Sequence, residues 1–182
     1  LLAMLSMEAA FGITGLIGAG RTELAHTIFG LTRPQRGSIQ LFGREVRFGS
    51  NREAIAAGIA YVSEDRLTLG LIQPQSIADN AVMSALTRIL ERTGLISPSK
   101  KADLVDGWVR ELAVKIGTPT DAVSTLSGGN QQKVVLAKWL AVEPRVLVVD
   151  EPTRGIDVGA KRAMHELLRD LARRGVAVLM IS

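Results

Sequence analysis

A chain of 182 residues, 47% apolar with a net charge of +4, is long enough to bury a sizeable core and reads as one soluble globular domain or a domain with a subdomain. The lack of cysteine excludes a disulfide scaffold and thiol chemistry and fits a cytosolic setting. No apolar run approaches the roughly 18 residues of a membrane span, and Leu1–Leu5 lacks the basic start of a secretory leader. The 22 basic residues are scattered and aromatics make up only 4%, which argues against a nucleic-acid face built on a basic block or a stacking platform.

In chain order, Phe11 to Leu16 is a short apolar run of strand length that ends in Gly15-Leu16-Ile17-Gly18-Ala19-Gly20-Arg21-Thr22. A helical pattern follows at Leu24, Ala25, Ile28 and Phe29. Strand, glycine loop and helix open a phosphate-binding βα unit, and the G-x-x-x-x-G spacing matches a P-loop. One position departs: Arg21 stands where the loop's lysine would reach the β- and γ-phosphates, while Thr22 keeps the hydroxyl that would ligate Mg²⁺. Arginine keeps the charge but replaces a compact ammonium with a wide planar fork, so nucleotide binding is expected with altered geometry. An ordinary strand-to-helix turn is the competing reading; the full spacing and Thr22 speak against it.

Ser38–Phe42 and Glu45–Phe48 alternate about Gly43 and read as a hairpin after a turn over Thr32–Gly37. Asn51–Ala57 reads as a helix capped by Asn51, and Ile59–Val62 as a buried strand ending in Ser63-Glu64-Asp65-Arg66. Polar residues just after a strand's C-terminal end are where α/β proteins place ligand contacts; a solvated loop with Glu64 and Asp65 pointing outward is the lesser alternative. Between residues 76 and 124 helical patterns, Ile77–Leu90 and Lys101–Ile116, are broken at Thr93-Gly94 and Ser97-Pro98. This stretch reads as a helical subdomain inserted into an α/β core formed by residues 1–75 and 125–182, with Trp108 in its core.

The densest signal is Leu126-Ser127-Gly128-Gly129-Asn130-Gln131-Gln132-Lys133, which leads into the amphipathic run Val134, Val135, Leu136, Trp139 and Leu140. It places a hydroxyl and bare backbone amides at a helix N-terminus, where the helix dipole favours an anion and glycine lets a phosphate approach. A plain serine N-cap is the alternative. Arg145–Val149 then forms a continuous apolar strand, as inside a parallel sheet, with Asp150 and Glu151 emerging at its end. One carboxylate there can hold Mg²⁺ and the other orient or deprotonate an attacking water, unless the two merely start the next helix. A turn at Arg154–Asp157, a helix over Val158–Arg174 and a buried strand over Val176–Ile181 complete the pattern.

This order of motifs resembles the ATP-binding cassette ATPase domain of an ABC transporter, a P-loop NTPase of RecA-like α/β type whose mainly parallel sheet is flanked by helices and accompanied by a helical subdomain and a small β region. More narrowly, Gly18–Leu24, Ser63–Arg66 and Glu151–Lys161 resemble the second, C-terminal cassette of tandem-cassette ATPases serving bacterial sugar importers of the ribose, galactose and xylose type. The resemblance implies ATP and Mg²⁺ as ligands. It makes Gly15, Gly18, Ala19, Gly20, Arg21 and Thr22 the Walker A loop, and Ser127, Gly128 and Gly129 the signature loop that reaches the γ-phosphate on a partner cassette. Asp150 becomes the Walker B aspartate, Glu151 the catalytic base and Asp157 the D-loop aspartate, while Glu64 stands at the Q-loop position, where glutamine is usual. The family's adenine-stacking aromatic would precede Leu1 or has no obvious match in Leu1–Ala10, Glu8-Ala9-Ala10 replaces the usual glycine-glutamate, and the switch histidine would fall after Ser182, so a fragment of a longer chain is expected.

What the resemblance implies is an ATPase that energises sugar import at the cytoplasmic face of the inner membrane. Its partners would be a sister cassette, transmembrane permease subunits and, indirectly, a periplasmic sugar-binding protein, with no nucleic acid. With an intact signature loop and an altered Walker A, it is expected to complete an efficient site on its sister while its own site stays slow, and the isolated domain is expected to turn over poorly. A regulatory cassette that binds nucleotide without turnover, and a soluble ABC ATPase outside transport, are the alternatives. The short helical insert disfavours the latter.

Overall fold

The computed structural model describes residues 2–5, 10–15 and 18–182. Leu1, Glu8 and Ala9 among the N-terminal expectations, and the Leu16-Ile17 step of the glycine loop, lie outside the described residues. Contacts divide the chain into two compact units, one of residues 1–64, 144–152 and 165–182, the other of residues 65–143 and 153–164.

The first unit holds a four-stranded parallel sheet in the order β2 (Ala10–Ile13), β7 (Ala177–Ile181), β6 (Val146–Asp150), β5 (Ile59–Val62). Every residue of β5 and β6 is buried, which is why both read as unbroken apolar runs rather than alternating ones. The register pairs Ile13 with Ile181, Ile181 with Asp150 and Val149 with Val62, so β2, β5 and β6 all end at one edge of the sheet. From that edge the chain runs into the glycine loop, into Ser63-Glu64 and into Glu151. β2 stops at Ile13, short of the expected Leu16, and helix α1 starts directly at Arg21 (Arg21–Ile28).

The same unit carries a second sheet, in which β1 (Leu2–Leu5) pairs parallel to β3 (Ser38–Leu41) and β3 antiparallel to β4 (Arg44–Val46). Phe42 and Gly43 link this hairpin with φ of 51° and 77°, the two positive angles that a tight two-residue hairpin loop demands. Helix α2 (Asn51–Ala56) is capped by Ser50 rather than by the expected Asn51. The Ser50 hydroxyl accepts from the Glu53 amide at 3.4 Å while the Glu53 carboxylate accepts from the Gly49 amide at 2.8 Å, a serine three residues before a glutamate acting as a capping pair.

In the second unit, α3 (Ile77–Val82) packs on α5 (Gly128–Leu140) and on α4 (Pro98–Glu111). The helix expected over Ile77–Leu90 is broken: after Val82 the chain tightens into a 3₁₀ turn over Met83–Arg88, with Ala85 at φ −115°. The tighter winding keeps both Ala85 and Ile89 buried, and Arg88 fixes its end by donating to the Ala141 carbonyl at 2.7 Å. Ser97-Pro98, read from sequence as a break, is instead where α4 begins, with proline in the first turn, where no N–H partner is needed; the helix ends at Glu111 rather than Ile116. Trp108 is half-buried, its indole N–H enclosed with no acceptor among the described residues. This unit is wider than the insert expected over residues 76–124, because the packing of α3 on α5 draws the latter helix in with it. Helix α6 (Val158–Arg173) starts in the second unit and contributes its residues from His165 onward to the first. Among the described residues no helix is long and apolar enough to cross a membrane.

Candidate functional site

At the strand-end edge of the first unit, Gly18 and Gly20 have φ of 83° and 79°, so the loop bends through conformations that other residues adopt only under strain. Gly20 occupies the N-cap position of α1 with no side chain capping it, and Arg21 and Thr22 are the first two helical residues. The Arg21 side chain lies back over Gly15, where an added Cβ would sit 3.6 Å from its Cδ; Ala19 is the next neighbour at 3.7 Å. Its guanidinium Nη1 stands 3.7 Å from Glu151 Oε1, the two side chains being 15% and 30% exposed. Glu151 itself has φ of 45°, a left-handed backbone uncommon outside glycine, and its amide donates to the Ile181 carbonyl at 2.9 Å. The residue expected as base thus begins a sharp departure from the strand that positions Asp150.

Asp150 is 1% exposed. Tyr61, on β5, donates its hydroxyl to Asp150 Oδ2 at 3.3 Å, while Oδ1 is buried with no hydrogen-bond partner among the described residues. Burial raises the Asp150 carboxyl above the usual range; the nearby Glu64 charge pushes the same way, and the Thr22 and Tyr61 hydroxyls pull it back. Burial, and next the Asp150 charge, also push the Tyr61 phenol well up. Its ring packs edge-on to His26 at 5.6 Å and against Phe29 at 5.5 Å. A desolvated carboxylate with one orphaned oxygen, near a threonine hydroxyl, suits a hard divalent cation. Among the described residues no cluster of three or more histidine, aspartate, glutamate or cysteine side chains forms a complete cage, so such a cation would draw its other ligands from phosphate and water. A cleft of about 550 Å³ opens beside the loop, lined by Ala19, Gly20, Arg21, Glu23, Arg33 and Arg36 among others, and its size lies in the range of small-ligand sites, about 300–1,000 Å³.

In the second unit, Ser127 holds the N-cap position of α5 in extended backbone, but its hydroxyl does not cap the helix. It is exposed and accepts from the Asn130 side-chain amide at 3.1 Å. Gly128 and Gly129 are needed for packing. A Cβ on Gly128 would meet Arg66 Nη2 at 2.9 Å and the Gly155 carbonyl at 3.1 Å, and one on Gly129 would meet Ala160 Cβ at 2.8 Å. Asp157 is exposed and caps α6, its carboxylate accepting from the Ala160 amide at 2.8 Å.

Of the residues expected from sequence, Gly15, Gly18, Ala19, Gly20, Arg21, Thr22, Glu64, Asp150 and Glu151 fall in the first unit, and Ser127, Gly128, Gly129 and Asp157 in the second. Sequence reasoning missed Tyr61, the sole tyrosine of the chain and concealed in a strand pattern, and Arg66, visible only as the tail of an acidic run.

A parallel sheet whose strand ends present a glycine loop, a helix N-terminus and a buried aspartate defines a P-loop-type nucleotide-binding domain. The family model for the ABC transporter matches residues 3–154, and the chain belongs to that family. It is 53% identical over 171 residues to ribose import ATP-binding protein RbsA 2 of Streptomyces avermitilis and 47% identical over 171 residues to ribose import ATP-binding protein RbsA of Caldanaerobacter subterraneus, covering 94% of this chain in both cases. The chain spans about a third of the length of these relatives, 34% of each. Among solved structures, a nucleotide-free ATP-binding cassette from an ABC transporter superposes with a TM-score of 0.79 at 18% identity, covering 98% of this chain and 72% of the other. The ATP-binding cassette MJ0796, a dimer in a post-hydrolysis state with ADP and Pi, gives 0.81 at 20% identity, covering 99% and 77%. At these identities the likeness shows the fold: a P-loop cassette with a mainly parallel sheet flanked by helices and a small antiparallel hairpin.

Proposed function

We propose that this cassette binds and hydrolyses ATP to energise import of a sugar, as the second cassette of a tandem ATPase. In this reading it sits at the cytoplasmic face of the inner membrane with a sister cassette and permease subunits, and a periplasmic sugar-binding protein delivers the cargo. The ribose-import relatives support the sugar class, and exposed Ile72, Leu86, Leu95 and Ile96 on the helical unit offer apolar surface to a permease. Arg21 and the α1 amides hold the phosphates, Glu151 orients and deprotonates the attacking water, and Glu64 takes the Q-loop position. Thr22 and Asp150 would hold Mg²⁺, which when bound neutralises charge on the β- and γ-phosphates. Ser127, Gly128 and Gly129 serve the nucleotide of the sister cassette, with Asp157 in the adjoining D-loop.

The observation carrying the asymmetry is Arg21, a planar guanidinium standing where an ammonium is usual and facing Glu151 at 3.7 Å, against an exposed Ser127. The cassette's own site is therefore slow and the one it completes on its sister efficient. Transport by the full importer tests this: Ser127→Ala lowers uptake far more than Arg21→Ala, and equal losses overturn the reading. The departures at Arg21 and Glu64 also favour a regulatory cassette that binds without turnover. Single-turnover hydrolysis at this cassette's own site, with nucleotide binding followed by calorimetry, separates the two.

A further inference from the structure

Arg66 has no part in the chemistry assigned above, yet its guanidinium sits among three segments of the second unit. Nη1 donates to the Arg154 carbonyl at 2.8 Å and Nη2 to the Gly155 carbonyl at 3.2 Å. The same group lies against Gly128, where a Cβ would fall 2.9 Å from Nη2, and against Gly155, where one would fall 3.4 Å from Nη1. A planar fork is the side chain that can serve two successive carbonyls while packing flat on a glycine; a lysine offers one point of charge and no plane.

The turn that carries Arg66 is itself fixed. Its π-helical residues Arg66–Gly70 are capped by Asp65, whose carboxylate accepts from the Leu67 and Thr68 amides at 3.1 Å each and from the Thr68 hydroxyl. At the other end Lys138, buried on α5, donates to the Gly70 carbonyl at 2.5 Å. Held at both ends, the turn presents the guanidinium at the start of α5 and at the 154–157 turn together. Two consecutive carbonyls and one glycine face are thereby tied to a single cation, one residue from Ser127.

We propose that Arg66 is a positioning residue for the signature loop, fastening the 154–157 turn to the start of α5 and so setting the direction of the Ser127 hydroxyl and the Gly128 and Gly129 amides. The functional part rests on the reading that this loop serves ATP on a sister cassette. In the full importer, Arg66→Ala is expected to lower amide-exchange protection over residues 126–131 and 153–157 by about tenfold. It is also expected to raise the KM for ATP about tenfold while kcat stays within about twofold. Because both residues act on one phosphate, Arg66→Ala added to Ser127→Ala should raise KM by less than about twofold beyond Ser127→Ala alone. Arg66→Lys, which keeps the aliphatic stem and one donor, should fall between wild type and Arg66→Ala, and it carries the same criteria should the alanine variant fold poorly. Unchanged exchange over residues 126–131 overturns the positioning role, as does a lowered melting temperature with unchanged KM, or fully additive losses in the double variant. A Ser127→Ala importer with unaltered KM overturns the signature-loop reading instead, and raised exchange in Arg66→Ala would then still uphold the positioning of the loop.

Discussion

The glycine loop before α1 and the serine-glycine start of α5 both open helices, and their surroundings differ. Before α1, Arg21 turns toward Glu151 and Asp150 is desolvated beneath, so the charged groups engage one another and burial disfavours the acid's ionised form. Before α5, Ser127 is exposed with its hydroxyl accepting from the Asn130 side-chain amide, and the glycines are held from behind by Arg66 and Ala160. The first loop is organised around its own acids, the second around rigid support for a face left open. That contrast is what a pair of unequal nucleotide sites would require of one cassette.

The largest expected effect breaks the open side. If Ser127 serves a sister cassette's nucleotide as proposed, Ser127→Ala removes a hydrogen bond to a charged phosphate worth about 1.5–3 kcal/mol, so ATP affinity at that site should fall roughly ten- to hundredfold in a nucleotide-binding assay on the full importer. Next comes the support behind that face. Gly129→Ala forces a methyl to within 2.8 Å of Ala160 Cβ, and overpacking of this kind costs about 1–3 kcal/mol. A fall in denaturation midpoint, restored by Ala160→Gly in the double variant, is the expected result; failure of the rescue would place the strain elsewhere.

A smaller effect comes from Lys138, whose ammonium burial pushes down to about 8 from the ordinary lysine value of 10.5. A lysine lowered on folding binds fewer protons in the folded than in the unfolded chain between those two values, so its contribution to stability rises with pH across that window. Below pH 8 the full cost of burying the charge is present. Between pH 7 and 9 the wild type should gain about 1 kcal/mol relative to Lys138→Met, read from denaturation midpoints at each pH. Parallel pH profiles for the two would show that Lys138 stays solvated.

The contrast between the loops was only partly legible in the sequence. The strands over Ile59–Val62 and Val146–Asp150 could be placed within a residue because both faces are buried and the apolar run is continuous. Ser127 at a helix start was equally plain from serine followed by two glycines. The 3₁₀ turn after Val82 was hidden, since helical periodicity persists through Ile89 while the backbone does not. Ser97-Pro98 has the same composition whether it ends a helix or begins one. Pairings such as Arg21 with Glu151, Tyr61 with Asp150 and Arg66 with Arg154 join residues far apart in the chain, and only the sheet register and the packing of α5 bring them together.

The smallest effect decides what the Arg21–Glu151 pair does. At 3.7 Å, beyond hydrogen-bond distance and with both side chains partly exposed, the pair is worth no more than about 0.2–1 kcal/mol after solvent screening. A double-mutant cycle with Arg21→Met and Glu151→Gln should return a coupling in that range and shrink further at high salt, read from thermal unfolding without nucleotide. So weak a contact yields readily to a phosphate, and slow turnover would then come from the geometry of a guanidinium standing where an ammonium is usual rather than from a blocked loop. Arg21→Lys should consequently speed single-turnover hydrolysis at this cassette's own site even though the ion pair is retained. A coupling well above 1 kcal/mol would instead make the pair a latch, and Glu151→Gln would then tighten nucleotide binding by freeing Arg21.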